Sequence, residues 1–160
     1  MTKNEKGFSS CIVDVASQVL LMMKENNQLG DKEGVFVSIY DPSRSTETSI
    51  LTFLVGDVLP SKSKKYRDYS LEKPKRAYEK GHTTSFESRD ENLDQWGGGF
   101  YLVEKGFGIG VSGLTEEEDM VFSILTAFLS CSIKLKDAYH IIGYSPVDTV
   151  LNMFETVLEL

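Results

Sequence analysis

Two cysteines, two histidines, one tryptophan and four prolines are spread over 160 residues, and most of these scarcities remove a class of protein from consideration. Cys11 and Cys131 lie far apart with no CxxC spacing, each inside an apolar helical pattern. Neither a zinc site nor a disulfide framework is encoded, and the expectation is of buried thiols in a reducing, cytoplasmic setting. His82 and His140 have no Ser or Cys partner at a recognisable spacing, so no nucleophilic pair can be assembled and no catalytic residue is assigned. Long hydrophobic runs are missing too. The apolar stretch after the polar start Met1 to Gly7 is broken by Asp14, Ser17 and Gln18, which speaks against a secretory leader and a membrane span. Positive charge is in the minority, 17 Lys and Arg against 24 Asp and Glu for a net charge of −7, which speaks against a general binder of nucleic acid or anionic membrane.

What is present describes one α+β domain, long enough to bury a core without disulfides or metal. From Ser10 to Gln28, apolar residues at Ile12, Val15, Ala16, Val19, Met22 and Met23 have helical spacing, and Gly30 stops the run. Val35 to Tyr40 and Ile50 to Val55 read as strands of a hairpin around the turn-rich Asp41 to Ser45, both buried on most of both faces. Asp57 to Tyr69 reads as an exposed connection into a short helix with Pro74 in its first turn and Gly81 after its end. Beyond the polar loop Ser85 to Gln95, Phe100 to Glu104 and Phe107 to Ser112 form a second hairpin around Lys105-Gly106. Thr115 and Glu118 make a capping box for a helix with Val121, Ile124, Leu125, Phe128 and Leu129 inward. The last helix takes Ser145 as N-cap and Pro146 as its first residue, with a stripe of Val147, Val150, Leu151, Phe154, Val157 and Leu158. This order predicts an antiparallel sheet flanked by helices, with an additional C-terminal amphipathic helix.

Each candidate site has a bland counterpart. Gly108, Gly110 and Ser112 share one face of their strand, which admits close approach of a ligand, a second subunit, or a helix of the same chain. Gly108 to Gly113 spells G-x-G-x-x-G, but Glu116, Glu117, Glu118 and Asp119 follow at once, in the first helical turn where a pyrophosphate would sit. The acidic cluster itself stabilises a helix N-terminus, or contributes to a divalent-cation site if ligands come from elsewhere. His82 follows the helix stop and precedes Thr83, Thr84 and Ser85; it caps helix carbonyls or ligates a metal such as haem iron. The run from Lys62 to Lys80, which includes Lys75 and Arg76, is a solvated face or a contact for propionates, phosphates or an acidic partner, with Tyr66, Tyr69, Tyr78 and Trp96 as stacking surface.

Three segments together, Lys73 to Phe86 (KPKRAYEKGHTTSF), Trp96 to Phe100 (WGGGF) and Val111 to Asp119 (VSGLTEEED) before a long apolar helix, resemble the GlcG/HbpS family, over roughly residues 10–132. The resemblance implies a profilin-like fold, symmetric homo-oligomers, and haem or another tetrapyrrole as ligand. It also implies His82, Thr83, Thr84, Lys75, Arg76, Trp96 and Gly98 as the residues around that ligand. The chain departs from the family where Trp96 and Met120 stand in place of histidines that relatives often carry, where Pro74 interrupts a usually longer helix, and in the unmatched segment 133–160. The competing expectation is a non-enzymatic oligomeric adaptor that binds other proteins, favoured by the two missing histidines and the extra helix.

Overall fold

The computed structural model describes residues 3–44 and 51–160, with side chains in the first helix from Cys11 onward. Helices α1 (Lys3–Glu25), α2 (Pro60–Glu79), α3 (Glu116–Leu129), α4 (Leu135–Ile142) and α5 (Val147–Leu158) surround strands β1 (Gly34–Tyr40), β2 (Leu51–Gly56), β3 (Gly99–Leu102) and β4 (Phe107–Ser112). All strand neighbours are antiparallel, in the order β2-β1-β4-β3. The architecture is α+β, a four-stranded antiparallel sheet packed against five helices. Ser45 and Ile50, expected at the ends of the first hairpin loop, lie outside the described residues.

Strand alternation divides the sheet into two chemically different faces. Val35, Val37, Ile39, Phe100, Ile109 and Val111 point into the main core with Ile12, Val19 and Met23 of α1, Ile124 and Leu125 of α3, and Val150 and Phe154 of α5. The α3 residues Asp119 through Ala127 are buried on all sides, because the sheet, α1 and α5 enclose the helix. The opposite face carries Ser38, Tyr40, Tyr101, Gly108 and Gly110 and is covered by α2 alone among the major helices. There Ser38 Oγ shares hydrogen bonds with Ser70 of α2 at 2.7 Å and Thr52 of β2 at 2.8 Å.

Several expectations are corrected. The exposed connection before a short helix is instead the first half of a 20-residue α2; Pro60, not Pro74, occupies its first turn, and Pro74 lies inside it. Both cysteines are exposed. Cys11 lies beside inward-facing Ile12 on α1, and Cys131, with φ +60°, sits in the turn that ends α3. β1 is buried throughout, but β2 is an edge strand and mostly half-exposed. The α4 helix was not expected, and Pro146 rather than Ser145 is the N-cap of α5, whose Val147 is exposed. The Thr115–Glu118 capping box forms as expected, with Thr115 N donating to Glu118 Oε2 at 2.9 Å. Among the described residues no helix is long and apolar enough to cross a membrane.

Candidate functional site

The three motif segments meet at a buried ion pair. Lys73 Nζ donates to the Val111 carbonyl at 2.6 Å and to Asp119 Oδ2 at 2.9 Å, and both side chains are almost wholly buried. The pair joins α2 on one face of the sheet to α3 on the other, passing where β4 ends and the Trp96–Gly99 loop enters β3. Asp119 Oδ1 accepts from Leu114 N at 3.0 Å. Burial pushes the Asp119 carboxyl up to about 6, against the opposing pull of Lys73 and the Leu114 N–H. Gly98 has φ +108°, and a Cβ there would stand 2.5 Å from Asp119 Cβ and 3.0 Å from Lys73 Nζ, so the pair closes only over a glycine.

Arg76, one turn along α2, holds the same loop. Its guanidinium donates to the Trp96 carbonyl at 2.6 Å, the Ser85 carbonyl at 3.0 Å and Ser88 Oγ at 2.9 Å, and it is paired with Glu72. At 4% exposure it is committed to internal partners, so the expected anion contact at Arg76 is replaced by a structural role. Lys75 is half-buried, 3.9 Å from Glu79. Trp96 donates from Nε1 to Asp94 at 2.8 Å and stacks under Arg89 at 5.2 Å. It borders a cleft of about 360 Å³ with Tyr66, Tyr69 and Ser112, whose floor is Lys73 and Asp119.

The strand glycines have a same-chain occupant. A Cβ on Gly110 would stand 1.9 Å from the Ser70 carbonyl oxygen and 2.4 Å from Pro74 Cδ, and one on Gly108 would stand 3.0 Å from Pro74 Cβ. Pro74 has no N–H to give the Ser70 carbonyl four residues earlier, and that carbonyl lies over Gly110. Helix α2 therefore covers this face where a subunit or a ligand had been alternatives; only Ser112 reaches a cleft.

His82 lies in a different place from Trp96 and Gly98. Helix α2 ends in a Schellman motif, with Gly81 at φ +67°, Gly81 N bonded to the Tyr78 carbonyl at 3.1 Å and His82 N to the Ala77 carbonyl at 2.8 Å. Thus the backbone of His82, and not its imidazole, caps the helix. The ring lines a cleft of about 420 Å³ between the end of α2, the β3–β4 turn and α4, together with Thr83, Tyr101, Lys105, Lys136 and His140. Its Nδ1 is buried and has no hydrogen-bond partner. Thr83 N donates to Glu87 Oε2 at 2.7 Å, while Thr84 is buried and its hydroxyl is spent on the Tyr144 carbonyl, so Thr84 secures the segment before α5 rather than facing a ligand.

The candidate set thus splits into the His82–Thr83 cleft and the Trp96–Gly98–Ser112 region, with Arg76 and Thr84 as internal fastenings. Lys105, Lys136 and His140 join the first of these places and Lys73 and Asp119 the second, the last two expected only as members of the basic run and the acidic cluster. The acidic cluster is largely engaged: Glu116 binds Arg89 at 2.8 Å and Gly97 N at 2.7 Å, Glu118 caps Thr115, and Asp119 pairs with Lys73. Among the described residues no three His, Cys, Asp or Glu side chains gather as a metal-ion site. A further cleft, of about 640 Å³ beside Asp31, Glu33, Asp57 and Lys62, contains no histidine and, of the expected stacking residues, borders Tyr66. The geometry defines an α+β protein whose candidate residues divide between two modest polar clefts, one over the buried ion pair and one at the end of α2. The chain matches no protein-family model, no curated protein and no solved structure.

Proposed function

We propose that this chain is a small-ligand-binding module of the GlcG/HbpS type, with a profilin-like sheet, that takes its ligand in the His82 cleft. The meeting of the KPKR, WGGG and VSGLTEEED segments at Lys73, Gly98 and Asp119 supports the resemblance, because residues distant in sequence contribute to one interlocked unit. One observation carries the choice of cleft: the imidazole of His82 is relieved of helix capping by its own backbone, yet is held with a buried, unpartnered nitrogen. A fold does not leave such a group unsatisfied without cost; of the atoms left so among the described residues, His82 Nδ1 is the one on a ring that lines this cleft. About 420 Å³ is within the range of small-molecule sites, and the exposed Val103 stands at the cleft beside the cations Lys105 and Lys136.

A tetrapyrrole is the ligand class the resemblance suggests, and Lys105 and Lys136 suit its acidic side chains. A bound haem would supply redox or oxygen chemistry through its iron; the residues here bind and orient. They do not suit iron ligation: Nδ1 of His82 is inaccessible, and ligation through Nε2 would leave the Nδ1 proton with no acceptor. Titration of hemin into the purified protein, followed in the Soret region, is expected to saturate, and the charge reversal Lys105→Glu with Lys136→Glu is expected to weaken binding at least about tenfold. A linear, unsaturable response, or one indifferent to both changes, would refute the assignment.

The second reading is an oligomeric adaptor. It draws on Tyr139, Tyr144, Val147 and Leu160, which are large, apolar or aromatic, exposed, and lie on α4, in the turn after it, on α5 and just beyond α5. Assembly of the chain into a homo-oligomer is proposed through this surface. Light scattering at micromolar concentration reads it directly, and a strict monomer removes it.

A further inference from the structure

We propose that the His82 cleft recognises an oxyanion, with the imidazole donating its Nε2–H to a carboxylate of the ligand; this rests on the reading of the cleft as the ligand site. The half-buried ring lines the cleft while Nδ1 is buried without a partner, so the Nε2 edge is the part that meets a ligand. A neutral imidazole carries one ring proton. On Nδ1 it would be a buried N–H with no acceptor; on Nε2 it faces the cleft and leaves Nδ1 as an unfilled acceptor. Orphaned buried donors are rarer than under-used acceptors, so the proton belongs on Nε2. A histidine that ligates a metal through Nε2 has the reverse arrangement, with Nδ1–H passed to a carbonyl or carboxylate, and His82 has neither. Protonation of the ring adds a second donor and still offers no lone pair.

The cations around the ring suit the same ligand. Lys136, in the first turn of α4, is exposed and has no ion-pair partner among the described residues. Lys105 lies 3.8 Å from Asp137, whose carboxylate is already committed to Lys134 N at 2.9 Å. Glu104, at the rim, is exposed and is the remaining acid of the cleft. The ligand class is therefore a carboxylate-bearing small molecule. For a tetrapyrrole, its acid side chains and not its metal would be the end that is read.

Hemin, metal-free protoporphyrin and protoporphyrin dimethyl ester separate these chemistries when titrated into the wild type, His82→Gln and His82→Ala, with circular dichroism confirming that each variant is folded. Hemin and the metal-free acid should bind within about threefold of each other, and the ester about tenfold or more weakly. Gln keeps an N–H donor but is no iron ligand, so His82→Gln should stay near wild type while His82→Ala loses about tenfold. Long-range proton–nitrogen correlation on the neutral ring should give a pyridine-type Nδ1 and a pyrrole-type Nε2 for His82. Binding that requires iron and is lost equally in both variants, or the opposite tautomer, overturns this proposal and leaves the cleft assignment standing. If no tetrapyrrole binds, that ligand class falls by itself and acetate decides the inference: a saturable shift of the His82 Nε2 resonance supports it, and no shift overturns it.

Discussion

Asp119→Ala would leave the Lys73 ammonium in the interior, almost wholly buried, with the Val111 carbonyl as its remaining partner. Removing one member of a buried pair costs about 3–5 kcal/mol, because the surviving charge is stranded rather than because the pair itself was strongly favourable. The Leu114 N–H also loses its acceptor, Asp119 Oδ1, adding about 1–3 kcal/mol. Against a typical total stability of about 5–15 kcal/mol this single change brings the chain close to unfolding at room temperature. The double variant Lys73→Met with Asp119→Leu removes both charges while keeping the branching and approximate length of both side chains, and is expected to recover most of the loss, ending within about 3 kcal/mol of wild type. Urea denaturation at pH 7, followed by circular dichroism, measures both. A loss below about 1 kcal/mol for Asp119→Ala, or a double variant as damaged as the sum of its singles, would refute this account of the pair.

The same carboxyl has a pH signature. Burial holds Asp119 at about 6 in the folded chain, above the ordinary 3.8, so the folded state binds this proton more tightly than the unfolded state. Its favourable contribution is fully present below the unfolded value and is lost as pH rises from about 4 to about 6. Wild-type stability relative to Asp119→Asn should therefore fall across that window and level off above it; a rise would reverse the sign of the argument. Gly110→Ala places a methyl group 1.9 Å from the Ser70 carbonyl oxygen and should destabilise by about 3 kcal/mol in thermal melts. Thr115→Ala removes the acceptor of the Glu118 N–H at the start of α3 and should cost about 1 kcal/mol in the same assay.

How far the sequence reveals this molecule depends on whether a segment's environment is written in apolar spacing. Helices α1, α3 and α5 bury continuous apolar faces, so their period is visible, and β1 and β4 carry the branched and aromatic residues of core strands. Helix α2 buries Ser70, Lys73, Pro74, Arg76 and Ala77, a face with almost no hydrophobic signal, against a sheet face made of serine, tyrosine and glycine. Its length was therefore hidden, and with it the answer to what lies over Gly110. Pro60 ahead of a run without another breaker until Pro74 was the available clue. Lys73 and Asp119 are 46 residues apart and look like members of a basic run and an acidic cap, so their pairing emerges only from the fold. His82 was legible as a candidate because it follows Gly81, but that its backbone makes the cap and strands its ring nitrogen is a matter of three-dimensional geometry.

Where a ligand sits on this protein tests the central claim most directly. Amide chemical-shift mapping with metal-free protoporphyrin, a diamagnetic probe, follows the whole chain at once. The account predicts saturable shifts concentrated at Gly81, His82, Thr83, Leu102, Lys105 and Lys136. Shifts concentrated instead at Tyr66, Tyr69, Trp96 and Thr115, around the cleft over the Lys73–Asp119 pair, would contradict it.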